Sequence, residues 1–426
     1  MNETHDPHGA LLRPVSLSEL AGLSVRLGLT AFGGPAAHIA MLRDEVVTRR
    51  GWMSAQYFLD LLGVTNLLPG PNSTEMFLAT GYSVQGRRGL FVSGFLFILP
   101  AFTLTLIFAW LYVHYGATPA GTWFLYGVKP VIIAIVLQAL WNLARTAIKS
   151  VFLGIVTAVV LALYLLGAPT LALLVGAAAL VMLVANVRRR RRPPSSPPVN
   201  GGQGTLPPAD AADPPPPVNG GQGGLAAIFL PWLPTLQRLA FQAQAAVPYT
   251  PWLLFWQFLV IGATIYGSGY VLLAYLNSSL VDTYGWLTQQ QLLDAIAVGQ
   301  FTPGPVFTTA TFVGFLVGGF PGAVLATAGI FLPAFVYVAI VNPFVPRLRG
   351  SPWVRGILDG ANVAAVGLMA GVEITLARAA LIDAITVAIG VIAFILLIRF
   401  RVNSVWLIAG GALVGVAVGL LRGWSG

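Results

Sequence analysis

The sequence predicts an all-α polytopic membrane protein: two inverted-topology repeats, about ten crossing helices in all, and two re-entrant hairpins made of broken helices. Three observations predict it. Of 426 residues, 57% are hydrophobic and 9% charged, with mean hydropathy +0.81, which is more apolar surface than a soluble core can hide. A polar, proline-rich break, Asn66-Leu67-Leu68-Pro69-Gly70-Pro71-Asn72-Ser73-Thr74-Glu75, returns as Gln300-Phe301-Thr302-Pro303-Gly304-Pro305. Loops that carry arginine in one half correspond to loops without Lys or Arg in the other.

Taken in order, the first 16 residues are polar, and the apolar segment after them carries Glu19 and Arg26 with no evident cleavage site, so no signal peptide is expected. Ser16-Leu17-Ser18-Glu19 has the form of a capping box and opens a helix that runs to a break at Phe32-Gly33-Gly34-Pro35, beyond which a short helix is expected. Arg43, Arg49 and Arg50 then mark a membrane face. Residues 54–84 form two short apolar pieces on either side of Pro69, each reaching about 20 Å and too short to cross comfortably. Longer segments follow at 89–113, 123–144, 150–166 and 170–187. If 54–84 enters and leaves by one face, Arg43, Arg49, Arg50, Arg87, Arg88, Arg145, Lys149 and the run Arg188 to Arg192 all fall on one side, taken as the cytoplasm.

Residues 1–192 thus form an N-terminal repeat. Residues 193–224, rich in Pro, Gly, Asp and Ser, read as a disordered cytoplasmic linker, and 225–426 as the C-terminal repeat, in which 225–247 resembles an interfacial helix. The repeats hold register. A spacing of 234 residues links Pro69 to Pro303, Gly33 to Gly267, Gly51-Trp52 to Gly285-Trp286 and Asp60 to Asp294. A spacing of 233 links Pro100-Ala101-Phe102 to Pro333-Ala334-Phe335 and Gly127 to Gly360. An odd number of crossings per repeat would invert the second copy, as the loop charges require.

The formal charge of +9 is no nucleic-acid footprint, since more than half of it is the run Arg188 to Arg192 behind an apolar segment. No cysteine is present, which excludes disulfides, thiolate metal sites and a cysteine nucleophile. A phosphate-binding loop and a His-Glu-x-x-His pair are also lacking, so no metal or cofactor is expected and energy must come from gradients or from another chain.

At the breaks, Pro35, Pro69, Pro71, Pro303 and Pro305 force the chain out of the helix, and Gly33, Gly34, Gly70 and Gly304 allow the turn. Each restarting helix aims free N–H groups and the positive end of its dipole into the interior, an arrangement that suits an anion. Asn66, Asn72, Ser73 and Thr74 in the first copy, and Thr308 and Thr309 in the second, add donors. Asn72 to Glu75 also reads as a capping box, and Glu75, which has no acidic counterpart, reads as a candidate proton carrier. Of the charges within apolar segments, Arg26 is expected to face the anion or an ion-pair partner, and Lys129 to contact substrate or to snorkel. Asp60 and Asp294 read as packing or hinge residues, His38 as structural, and Trp52 and Trp286 as interface anchors; Glu373 is a further intramembrane charge.

Phe32-Gly33-Gly34-Pro35 with His38 and Arg43-Asp44-Glu45-Val46-Val47, Leu68 to Glu75, and Pro303-Gly304-Pro305-Val306-Phe307-Thr308-Thr309-Ala310-Thr311-Phe312 together resemble the chromate ion transporter family, of its two-domain, long-chain type. The resemblance covers the chain apart from its linker and termini. It implies a bacterial inner-membrane protein that exports chromate and confers resistance, with sulfate as a competing cargo and with its site at Gly33-Gly34-Pro35, Pro69 to Glu75 and Pro303 to Thr309. Proton coupling is left open, and a homodimer is compatible with the sequence. The competing readings are an importer or exchanger of sulfate or another tetrahedral anion, and an intramembrane enzyme, for which the sequence offers no nucleophile and base pair.

Overall fold

The computed structural model describes residues 12–32, 34–190, 248–266, 269, 271–342 and 352–423; Gly33, the linker 193–224 and the segment 225–247 lie outside the described residues. Among the described residues the chain forms fourteen α-helices, with short π and 3-10 segments and no strand. Six helices among the described residues are long and apolar enough to cross a membrane, and three shorter ones are also apolar. Every apolar segment that the sequence marks as crossing is helical.

Helix α1 (Leu17–Thr30) starts at Ser16, whose hydroxyl accepts from the Glu19 N–H at 3.2 Å. Only that half of the expected capping box is made, because the Glu19 carboxylate turns to Arg13 (2.5 Å) and to the Trp52 indole (3.4 Å). Helix α2 (Gly34–Arg43) restarts with Pro35 in its first turn, so Pro35 belongs to the new helix rather than to the break, where its missing N–H costs nothing. A π segment (Asp44–Arg49) and a left-handed Gly51 lead to α3 (Ala55–Thr65). Trp52, expected at the membrane interface, is fully buried there, since the turn folds its ring onto the protein core.

Helix α4 (Asn72–Tyr115) is two arms folded back on each other at Gln85 and Gly86. The arms touch closely: the Ser93 hydroxyl donates to the Phe77 carbonyl at 2.8 Å, and a Cβ on Gly81 would lie 2.4 Å from the Gly89 carbonyl. Small residues permit this, as they do wherever helices pack in lipid. Helices α5 (Pro119–Ala147), α6 (Val151–Leu165) and α7 (Thr170–Arg190) complete the first half.

The second half reproduces these elements as α8 (Pro251–Thr264), α9 (Val271–Leu276) with its π segment (Asn277–Thr283), α10 (Gln289–Phe301), a 3-10 turn (Val306–Thr308) entering α11 (Thr309–Val341), α12 (Pro352–Ala380), α13 (Ala384–Arg399) and α14 (Ser404–Leu421). Correspondence reaches single residues. Helix α11 folds back at Gly318 and Gly319, where α4 does at Gln85 and Gly86, and its arms meet at Gly314 and Gly322. Gly285 is left-handed like Gly51, and the Trp286 N–H donates to Leu280 as the Trp52 N–H does to Val46.

The halves interlock by exchange. Helix α5 packs on α13 and α14, while α12 packs on α6 and α7. A Cβ on Gly127 would fall 1.9 Å from the Gly411 carbonyl, and one on its counterpart Gly360 would fall 2.7 Å from the Ala177 carbonyl. Gly127→Leu is therefore expected to force α5 from α14, at an overpacking cost of about 1–3 kcal/mol or more. Its unfolding midpoint in detergent should drop by several degrees, whereas Gly22→Leu, with open space around the position, should leave the midpoint unchanged.

Candidate functional site

The four helix breaks converge on the centre of the molecule. Gly70 and Gly304 both take positive φ, 143° and 92°, and each directs its N–H across to the other half: Gly70 to the Ile265 carbonyl (2.8 Å) and Gly304 to the Ala31 carbonyl (2.9 Å). Ala31 and Ile265 cap the C-termini of α1 and α8 and so open the breaks that follow them, and each hairpin break is thereby tied to the first break of the opposite half. Two tyrosines reinforce the knot, Tyr266 donating to the Leu67 carbonyl (2.9 Å) and Tyr337 to the Ala263 carbonyl (3.1 Å).

Beside this knot lies a cavity of about 770 Å³. Its inner wall is the first turn of α2 (Pro35, Ala36), the C-cap of α3 (Asn66), the start of α4 (Pro71, Asn72, Ser73), the entry to α11 (Val306, Phe307) and the α8–α9 break (Tyr266, Gly269). The N-termini of α2, α4 and α11 thus face one space, bringing unsatisfied N–H groups and positive dipole ends to it. Helix α5 supplies Gln138, Asn142 and Thr146, one helical turn apart, and α12 supplies Asn362. At the rim Lys149 pairs with Asp359 at 2.8 Å. The paired rim charges cancel, so neutral donors and helix ends set the cavity's preference for a partner.

The structure gathers some of the sequence candidates here and sends others elsewhere. Asn66, Asn72, Ser73, Pro35 and Pro71 line the cavity, and the Asn72 amide donates to Asn66 at 3.0 Å. The expected capping box at Asn72 is not formed, because α4 begins one residue too early for it: Pro71 is the cap, Asn72 is the first helical residue, and no side chain caps the turn. Gly34 starts α2 in a left-handed conformation. Gly70, Pro69, Pro303, Gly304 and Pro305 shape the breaks. Thr74 and Glu75 are fully buried behind the cavity wall, and neither Glu75 oxygen nor the Thr74 hydroxyl has a hydrogen-bond partner among the described residues. The Thr308 and Thr309 hydroxyls bond back to the Pro305 and Val306 carbonyls, both at 2.8 Å.

Of the two roles expected for Arg26, the structure shows the ion pair: it meets Glu45 at 2.5 Å. Arg50 joins that carboxylate at 3.0 Å. Burial works against the charged form of Glu45, but the hydrogen bonds and charges of Arg26 and Arg50 outweigh it and hold the carboxyl below its ordinary range. Lys129 reaches Asp294 (3.1 Å) and Gln290 (2.7 Å) rather than a loop. His38 is buried, its Nε2 at 3.1 Å from the Ala31 carbonyl, as a structural residue would be.

Sequence reasoning overlooked Gln138, Asn142, Thr146 and Asn362, and took Lys149 as a mere marker of the membrane face. The signal was present: three polar residues four apart on an otherwise apolar helix form a stripe, and a stripe facing lipid would be costly.

These features define a multi-pass membrane protein whose discontinuous helices enclose a polar cavity between two similar halves. The chain belongs to the chromate transporter family, whose sequence pattern matches residues 18–183 and 252–416. It is 29% identical over 407 residues to the chromate transport protein of Cupriavidus metallidurans, covering 94% of this chain and 93% of that one. Similarity to the chromate transport protein of Pseudomonas aeruginosa is 30% over 412 residues, or 94% and 92% of the two chains. An uncharacterized transporter of Methanocaldococcus jannaschii is 25% identical over 362 residues, covering 84% and 83%. No solved structure matches the chain.

The break depends on backbone geometry more than on any hydroxyl. A Cβ on Gly70 would lie 2.5 Å from the Glu75 carboxylate, in a conformation that L side chains rarely adopt. Gly70→Ala should abolish anion binding by purified protein. Ser73→Ala, which removes at most one hydrogen bond to a charged ligand, worth about 1.5–3 kcal/mol, should weaken binding by roughly ten- to a hundredfold without abolishing it.

Proposed function

We propose that this protein is a secondary transporter that exports chromate across the bacterial inner membrane and so gives chromate resistance. The observation that carries the reading is the convergence of three helix N-termini and a set of neutral donors on one cavity, the arrangement by which discontinuous helices hold anionic cargo. Family membership supports chromate as the cargo.

In this reading residues 1–192 and 225–426 are inverted repeats joined by a cytoplasmic linker. The matching breaks, matching hairpins and reciprocal packing of α5 and α12 support the repeat, and the opposite charge bias of matching loops supports the inversion. Efflux is the downhill direction. Each charge crossing 100 mV is worth about 2.3 kcal/mol, so a dianion leaving a negative-inside cell gains about 4.6 kcal/mol, on the order of a thousandfold gradient. Potential alone suffices as a driving force. Glu75 adds proton coupling: it is a fully buried carboxylate without hydrogen-bond partners among the described residues, one turn from cavity-lining Asn72, and its counterpart in the second half is Thr309.

Sulfate is the second cargo, because amides, hydroxyls and helix ends recognise the charge and tetrahedral shape that the two anions share. Proteoliposomes with membrane potential and pH gradient imposed separately test the whole reading. Chromate should flow toward the positive side under potential alone, and sulfate should compete. Chromate movement that ignores the potential would overturn electrogenic efflux. Glu75→Gln should flatten the dependence of flux on pH between about 6 and 8, a window chosen around physiological pH. Profiles of the same shape for Glu75→Gln and the parent protein would remove Glu75 from coupling.

A further inference from the structure

The cavity has a counterpart that is shut. Helices α5 and α12 are both 29 residues long and lie 233 positions apart in sequence, so each cavity residue on one has a partner on the other. The cavity is walled by the C-terminal half of α5 and the N-terminal part of α12. Exchanging the halves carries Gln138, Asn142 and Thr146 to Gly371, Thr375 and Ala379 on α12, and carries Asn362 to Lys129 on α5. Asn142 and Thr146 are exposed beside an open space, whereas Gly371 is buried and Thr375 and Ala379 are only part-exposed. The Gln290 amide donates to the Ala379 carbonyl at 2.9 Å and accepts from Lys129 at 2.7 Å. Lys129 in turn sits 3.1 Å from Asp294, whose other oxygen accepts from the Tyr112 hydroxyl at 2.9 Å. A single network therefore binds α4, α5, α10 and α12 across the place where the counterpart cavity would open. Gln56, the equivalent of Gln290 on the open side, bonds within its own helix to Asp60 at 3.0 Å.

We infer that Lys129, Gln290 and Asp294 latch a second oxyanion station, the counterpart of the open cavity on the opposite membrane face, and that Lys129 passes from Asp294 to the anion when the latch opens. This rests on the transport reading above. The chemistry favours the exchange. Asp294 is almost wholly buried and Lys129 mostly so, and separating a buried pair leaves both charges uncompensated; a second anion would compensate Lys129, while Asp294 keeps the Tyr112 hydrogen bond and meets water as the station opens. A divalent tetrahedral oxyanion is such an anion, and the small residues Gly371, Thr375 and Ala379 leave it room once α12 moves from α10. The two stations differ in kind: the open one offers Asn362, a neutral amide, where the closed one offers a cation.

The absence of cysteine makes the test direct. Asn142→Cys and Thr375→Cys are introduced singly and labelled with a membrane-impermeant maleimide in right-side-out and inverted vesicles. Asn142→Cys should react from one face, and Thr375→Cys from the other and far more slowly. Adding Asp294→Asn, or in a separate protein Lys129→Gln, should speed labelling of Thr375→Cys by about tenfold or more and slow that of Asn142→Cys, as expected for a shifted two-state equilibrium. Labelling of both positions from the same face, or rates that neither latch variant changes, would overturn the inference. Protection of Asn142→Cys by chromate or sulfate reads out the transport proposal separately. Protection without any latch effect defeats the latch alone, and a latch effect without protection by either anion defeats the cargo assignment alone.

Discussion

Two crossed backbone hydrogen bonds hold the centre of this molecule: Gly70 to Ile265 and Gly304 to Ala31. A chain that leaves the helix inside an apolar environment exposes N–H and C=O groups that no water can satisfy, and each orphan would cost several kcal/mol. Here each half supplies the acceptor that the other half's break requires. Only glycine serves at either position, because both bonds need a backbone in the left-handed half of conformational space. Open, polar segments at the core of an apolar bundle depend on this reciprocity.

The basic residues closest to the breaks are kept away from the cavity floor. Arg26 is held by Glu45, Lys129 by Asp294 and Lys149 by Asp359. What faces the cavity is partial charge: helix ends, amides and hydroxyls. In the anion-transport role proposed above, such a site would discriminate by sign and shape without binding so tightly that cargo cannot leave, a compromise that any conducting or transporting site must strike. A bare arginine in a low-dielectric pocket would hold a dianion far more strongly.

Much of the architecture was legible in the chain because proline and glycine punctuate helices for local steric reasons. The breaks at Pro69 and Pro303 and the register of the two halves followed from that alone. Arg26 and Lys129 were marked by the cost of intramembrane charge, but that cost names no partner; Glu45 and Asp294 became visible as partners only in three dimensions. Trp52 misled because its place at a segment edge is shared by interface anchors and by residues that fold inward, and only the left-handed turn at Gly51 decides between them. The polar stripe on α5 was hidden by averaging: a few amides hardly lower the hydropathy of a span that long.

The exchange of packing partners also bears on how the protein is made. Helices α6 and α7 find their neighbour in α12, and α5 finds its own in α13 and α14, all in the opposite half. During synthesis the first half therefore emerges with faces that nothing yet made can cover, including the glycine seam at Gly127. Those faces must sit against lipid until α12, α13 and α14 have left the ribosome. A chain truncated before α12 is left with lipid in the place of its missing neighbours.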